Sequence, residues 1–431
     1  MRKLINYKLI FLSSFFLAAC SNEDNIPSIL PSNQPDAVEL GITAGVTLTK
    51  SAVTVNTGLT GGIAVYAGIA TDESDKTVDP YTSTLKNNYA IYTSSNGTSW
   101  ATAAGATDKI YLTSQKATIF AHYPAYSPIA SGQDDAGALQ TTGTALKASE
   151  TESKVSASST IDVSVYQRKT AITTNNFLNP TTSNAEKTWS GSAWTNNTTT
   201  NSNIISTSGE VDYMWGSTDG SNTSTQPATS NGKATGSTHD GSVNIYMNHA
   251  LALVSFRIYN DGTYKNTGKL TKIQLKNKNA SGLSDGGAVK MNISTGAITT
   301  GSGAAGATYT RFIDNDGNGT PSGYTIISVA TTPSATVATT EDDAKAASSK
   351  FSIMALPIAA GDKVAANTVQ AIFTIDGADY DVVLGSSGNL TWERGKNHLY
   401  TVKLSGKGLS VGTVNVAAWG TGNGNDDLKV N

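Results

Sequence analysis

The chain has 431 residues, 38% of them hydrophobic and only 15% charged, with a net charge of −3. That length allows two or three domains, and the absence of any basic run or patch excludes a nucleic-acid-binding surface. One cysteine, Cys20, excludes an intrachain disulfide, so stability must come from apolar cores and sheet pairing.

At the N-terminus, Arg2, Lys3 and Lys8 precede an apolar run over residues 9–19 that ends in Ala18 and Ala19. A basic start, a run too short for a stable bilayer span and small residues at a cleavage point predict a signal peptide over residues 1–19. A cysteine directly after such a point resembles the bacterial lipobox, in which the thiol takes a diacylglycerol and becomes the new N-terminus. Cys20 is therefore the expected lipidation site. It would hold the protein at a membrane surface without a transmembrane helix, and after the leader no apolar stretch is long enough to span a bilayer. Residues 20–36 read as a tether, polar and acidic at first and then kept extended by Pro27, Pro31 and Pro35. The acidic stretch is similar to the signal that takes lipoproteins of Bacteroides-type bacteria to the outer surface.

Val38, Leu40, Ile42, Ala44, Val46 and Leu48 then fill every even position, ahead of Lys50 and Ser51. This period of two predicts an extended strand with one wholly apolar face. Further strands are predicted over residues 62–67, 88–92, 109–112, 117–121 and 160–165, divided by Gly, Asn, Asp and Ser clusters. Residues 173–208, with Trp189 and Trp194 embedded, and residues 217–239 are almost all Asn, Thr and Ser and read as long surface loops. The domain boundary is placed in the second of these, giving domains 37–225 and 226–431. The C-terminal half continues with strands over 243–247, 250–258, 273–275, 351–356, 369–375, 380–384, 398–404 and 414–416, and residues 335–349 are the best helical candidate. Many short strands with turn signals predict an all-β protein made of sandwiches.

Several stretches in order resemble the fimbrillin family, the pilus proteins of Bacteroides and its relatives. They are Ile63-Ala64-Val65-Tyr66 with Ala121-His122-Tyr123-Pro124, then Asp212-Tyr213-Met214-Trp215-Gly216, then Asn248-His249-Ala250-Leu251-Ala252. The last are Trp392-Glu393-Arg394-Gly395-Lys396-Asn397-His398-Leu399-Tyr400 and the closing Trp419-Gly420. The resemblance implies two tandem transthyretin-like β-sandwich domains, here with long polar loops. It also implies a type V pilus subunit that reaches the outer membrane as a lipoprotein precursor and has no enzymatic activity and no cofactor. A trypsin-like protease would cut after a basic residue that follows the first strand, and a strand of the next subunit would fill the groove.

On this chain those roles fall to particular residues. Lys50 is the first basic residue after the leader, so Lys50 and Ser51 mark the expected cut, although arginine is commoner there in the family. The displaced strand carries Val38, Leu40, Ile42, Val46 and Leu48. It is expected to be interior, so that its loss opens a double edge. Leu409, Val411, Val414 and Val416, then Leu428 and Val430, are the candidate donor strand. The broken alternation at Gly412-Thr413 reads as a bulge or as two separate strands. Alternatively, both termini complete their own sandwiches. The expected partners are other pilus subunits, the processing protease and outer-membrane lipid through Cys20, with no nucleic acid.

Catalytic chemistry is sparse. His122, His239, His249 and His398 show no metal-ligand spacing and adjoin no nucleophile motif, and no pair of carboxylates stands out for acid–base work. Asp314, Asp316 and Asn318 begin a calcium-loop pattern, but Thr325 stands where its bidentate acid belongs, and a tight turn explains the same residues. Trp189, Trp194 and Trp215, by loop context, are the residues for a rival reading, an anchored surface lipoprotein that binds carbohydrate.

Overall fold

The computed structural model describes residues 38–46, 62–69, 88–94, 99–102, 109–112, 116–127, 145–148, 155–163, 187–189, 194–196, 212–217, 228–231, 241–278, 283, 289–299, 308–313, 323–330, 338, 340–358 and 364–418. Among them, strands dominate and a single helix, Glu341–Ala347, is present, so the protein is all-β. The helix begins where Thr340 and Asp343 form a reciprocal capping box, later than the predicted start at residue 335.

One large sheet has eight strands. Along its path run Gly41–Val46, Ser242–His249, Met214–Ser217, Lys116–Tyr123, Ile63–Ile69, Tyr89–Thr93 and Ala101–Thr102, and Ala228–Asn231 pairs with Lys116–Tyr123 off that path. One face carries Ile63, Val65, Ala67, Ile119, Ala121, Val243, Ile245 and Met247, which form one continuous core with Leu40, Ile42 and Ala44. The opposite face sends Tyr66, Tyr89, Phe120 and Trp215 into a second core.

The C-terminal half packs two five-stranded sheets face to face. The first contains Ala252–Asn260, Lys350–Ala355, Lys396–Ser405 and Gly408–Ala418 with the short Ile327–Ser328. The second contains Lys269–Asn277, Thr308–Phe312, Val369–Ile375 and Ala378–Leu384 with Tyr324–Thr325. Val369–Ile375 alternates buried and half-buried along its length, as a strand with one core face must. Phe256 of the first sheet meets Phe373 of the second edge-to-face, ring centres 5.3 Å apart, and stacks on Tyr400 at 5.6 Å. Along one side the sheets are stitched by Arg311, whose Nη1 donates to the Ser352 carbonyl at 2.6 Å.

Three expectations are corrected. The boundary at 225/226 does not separate the sheets. Ser242–His249 belongs to the eight-stranded sheet, and Thr160–Asp162 pairs with Lys290–Asn292 from beyond it. The polar stretches are not simply loops: Lys187–Trp189 pairs with Trp194–Asn196, and Ala228–Asn231 joins the large sheet. Thr and Trp are enriched in strands, so a polar composition alone does not bar such pairing. Third, Trp215 is wholly buried rather than a loop aromatic.

Trp215 closes onto the turn at Gly296, whose φ of +65° suits glycine. A Cβ there would lie 1.9 Å from Trp215 Nε1. Arg394 sits over the same indole at 5.5 Å and donates to the Thr295 carbonyl at 2.5 Å. Gly296→Ala combines backbone strain with a clash against a buried ring, so it should destabilise the fold by about 3 kcal/mol or more. Urea unfolding of the variant beside the parent protein measures this.

Candidate functional site

The leading segment forms two short strands that belong to different sheets. Val38–Glu39 pairs antiparallel with Tyr111–Leu112, and Gly41–Val46 pairs parallel with Ser242–His249. Leu40, between them, is 1% exposed, with Ile42 at 6% and Ala44 at 2%, while Thr43 faces solvent. Leu40, Ile42 and Ala44 of the even-numbered row therefore line the core, as the period demands. Val38 and Val46 lie within the strands. Cys20, Leu48, Lys50 and Ser51 fall outside the described residues.

The ladder changes along the segment: Val38–Glu39 has Tyr111–Leu112 beside it, and Gly41–Val46, at the edge of the large sheet, has Ser242–His249. Among the described residues no part of it has ladders on both sides at once, as the expected interior strand would. Side chains and one loop carbonyl meet its other side. Tyr92 Oη donates to the Leu40 carbonyl at 2.8 Å, Trp100 Nε1 donates to the Ala44 carbonyl at 3.2 Å, and the Leu40 amide donates to the Ile110 carbonyl at 2.8 Å. Toward the ladder, the Gly41 amide donates to the Gly241 carbonyl at 3.1 Å. Trp100 directly precedes Ala101–Thr102, the far edge of the same sheet. The sheet thus curls until its two edges nearly meet, and the leading segment fills the seam. Burial, then the charge of Glu39, holds the Tyr92 hydroxyl far above its ordinary range, so it stays a proton donor. At the mouth, Lys109 Nζ bonds Glu39 Oε2 at 2.9 Å, and that bond raises the lysine pKa.

The far end of the chain is built differently. Gly408–Ala418 pairs with Lys396–Ser405 as one continuous strand. A register shift between Tyr400 and Val402 adds one residue opposite them, so the break at Gly412-Thr413 is a bulge. Leu409 and Val411 pack against their own core. Beyond the bulge, Val414 and Val416 are 45% and 52% exposed, the large exposed hydrophobics among the described residues. Their register partners, Tyr400 and His398, are buried. Paired residues share a face of the sheet, so the two valines lie on the core-facing side, past the limit of its cover. Leu428 and Val430 fall outside the described residues.

The remaining motif residues are packing knots. His122 Nδ1 donates to the Pro124 carbonyl and its Nε2 accepts from Tyr66 Oη, both at 3.1 Å, and Tyr66 Oη accepts the Ala148 amide. His398 Nε2 accepts the Glu393 amide at 2.9 Å, and Trp392 Nε1 donates to Tyr400 Oη at 2.9 Å. His249 pairs with Asp212 at 2.5 Å. Asp314, Asp316, Asn318 and His239 lie outside the described residues. Among those described, no three His, Cys, Asp or Glu residues converge as a metal site, and no helix is long and apolar enough to cross a membrane. Tyr92 and Trp100, which hold the leading segment, carry no sequence signal beyond being aromatic.

No family model matches the chain, and no curated protein matches it significantly. Among solved structures it is similar to a proposed cell adhesion protein of Bacteroides uniformis, at 17% identity and a TM-score of 0.44 over 89% of this chain and all of that one. A proposed cell adhesion protein of Bacteroides ovatus matches at 12% identity and a TM-score of 0.47, over 90% of this chain and 99% of the other. A fimbrial protein of Bacteroides vulgatus matches at 12% identity and a TM-score of 0.46, over 89% and 99%. Likeness this slight assigns no function.

Two outcomes are expected. Tyr92→Phe leaves the Leu40 carbonyl without its donor and should cost about 1 kcal/mol in urea unfolding. It should also raise amide exchange in residues 40–45 more than elsewhere. Separately, burial pulls the imidazoles of His122 and His398 down to about 4, against about 6.5 in an unfolded chain. The unfolded state then binds protons first, so stability is full above about pH 6.5 and falls as pH drops toward 4. Each histidine contributes on the order of 2–3 kcal/mol to that loss. Imidazole NMR should find both neutral at pH 5.5.

Proposed function

We propose that the protein is a structural or adhesive subunit of a cell-surface pilus, assembled by proteolytic removal of the leading segment and its replacement by a strand of a neighbouring subunit. One observation carries this reading. A leading segment whose Gly41–Val46 strand has one ladder neighbour among the described residues supplies Leu40, Ile42 and Ala44 to the core of the large sheet. Its departure uncovers apolar walls and unpairs the edge of Ser242–His249. At ~25 cal/mol per Å² of apolar surface, the three side chains amount to roughly 5 kcal/mol. The ladder adds direction, so the open groove would be a strong and oriented receptor. Filling it head to tail does not close a ring, and a fibre results.

In this reading Cys20 anchors the precursor to outer-membrane lipid, and a trypsin-like protease cuts between Lys50 and Ser51, releasing lipid and strand together. The C-terminal end supplies the donor, from the segment with Leu409, Val411, Val414 and Val416 or from the short second one with Leu428 and Val430. The rival reading, a carbohydrate-binding lipoprotein, loses Trp215 to the core.

Trypsin treatment of the purified precursor should remove the leading segment near Lys50 and yield SDS-resistant ladders. Lys50→Ala should keep the protein on the membrane. Lys50→Ala cells that still shed normal fibres would move the cut elsewhere, and a chain that stays monomeric after cleavage would overturn the proposal.

A further inference from the structure

The groove holds its strand by two kinds of contact that read different things. Tyr92 and Trp100 both donate to main-chain carbonyls, those of Leu40 and Ala44, four residues apart. Such bonds ignore side-chain identity. They accept any extended strand whose carbonyls fall at those two points, and they fix its register. The walls read size: they enclose a leucine at 40, an isoleucine at 42 and only an alanine at 44. The ordered pattern is large, large, small, at alternate positions.

The same pattern in the same direction occurs in Val414, Val416 and Ala418. Val414 and Val416 lie on a core-type face that this chain leaves uncovered. In this alignment Asn415 takes the place of Gly41, where an added Cβ would meet Ser242 Cβ at 3.8 Å, an ordinary contact. Ala417 takes the place of the exposed Thr43. Read backwards, the donor would force Val414 into the alanine site and leave Ala418 to fill the leucine site.

We propose that Val414–Ala418 of a second copy enters the groove parallel to Ser242–His249, with Val414 at the position of Leu40, Val416 at Ile42 and Ala418 at Ala44, clamped by Tyr92 and Trp100. This rests on the exchange reading above and adds register and polarity to it. Both edges of the donor are used in the groove, so it must leave Lys396–Ser405. The bulge at Gly412-Thr413 marks the point where it peels away, with Leu409 and Val411 still anchored in their own sandwich.

Cysteine pairs in surface-sheared fibres test this. Thr43 stands opposite Asn244 in the ladder, so Ala417 of the donor should stand opposite Asn244 of the acceptor, within disulfide reach. Cells producing the full chain with Asn244→Cys and Ala417→Cys should give reducible intersubunit ladders that survive heat denaturation. Asn244→Cys with Asn415→Cys, the pair that reports both a two-residue slip and the antiparallel orientation, should give at least tenfold less. Ala418→Leu should cut SDS-resistant polymer at least tenfold, whereas Val416→Leu should leave it within twofold. Ladders from the Asn415 pair, or silence from both pairs while polymer still forms, would overturn the register. Absence of polymer from the unsubstituted, cleaved chain would instead sink the exchange reading, and the register with it.

Discussion

The N-terminal half depends on one seam. Its large sheet curls until the edge at Ser242–His249 comes within reach of Tyr92 and Trp100, and a single strand fills the gap. Inside the seam the attraction is apolar and non-directional, supplied by Leu40, Ile42 and Ala44 against Ile63, Val65, Val243 and Ile245. At its rim the forces are hydrogen bonds with fixed geometry. A strand with ladders on both sides would break two rows of bonds on leaving. This one breaks the row along Ser242–His249 and, elsewhere along its length, only the short ladder with Tyr111–Leu112 and a few side-chain and loop bonds.

The C-terminal sandwich manages its two sides unequally. On one, Arg311 reaches across from Thr308–Phe312 to the Ser352 carbonyl and closes the gap between the sheets. On the other lies Gly408–Ala418, an eleven-residue edge strand without charge or proline. Long apolar edges invite pairing, and proteins ordinarily blunt them. Among the described residues the bulge is the one such device, and it keeps Val414 and Val416 on the inner face rather than turning them away.

Much of this was legible in the sequence, and the reason differs from element to element. The alternation through Leu40, Ile42 and Ala44 announced one buried face because burial on one side of a pleat imposes a period of two, but it did not announce that the segment divides between two sheets. The break at Gly412-Thr413 was readable as a bulge or as two separate strands, and only the pairing register decides for the bulge. What could not be read is pairing between distant segments. Nothing in Ser242–His249 says that it lies beside Gly41–Val46 rather than starting the next sandwich, so the boundary was misplaced. Trp215 looked like a loop aromatic because Asn, Ser and Thr surround it in sequence, yet its burial is decided by Gly296 and Arg394, far along the chain. Tyr92 and Trp100 escaped for the same reason: a hydrogen bond to another strand's carbonyl leaves no trace in local composition.

The two ends of the molecule are joined by a short mechanical path. Ser242–His249, which grips the leading segment, runs through Ala250 and Leu251 into Ala252–Asn260, the centre of the C-terminal sandwich. That link is pinned by the Ala250 amide on the Tyr213 carbonyl at 2.8 Å and by the Gly395 amide on the Leu251 carbonyl at 2.7 Å. Ala252–Asn260 then pairs in parallel with Lys396–Ser405, whose other neighbour is Gly408–Ala418. Under the exchange reading, tension entering at the groove and leaving at the donor crosses one parallel ladder, a continuous backbone, a second parallel ladder and the part of the antiparallel ladder that stays paired before the bulge, Gly408–Val411 against Val402–Ser405. Pulled along the strands, each ladder bears the load on all its bonds together rather than unzipping them singly. Trp215 against Gly296, and Thr160–Asp162 against Lys290–Asn292, tie the halves beside this path. A subunit wired this way carries force through paired strands and not through a flexible linker, which is what a fibre under shear requires.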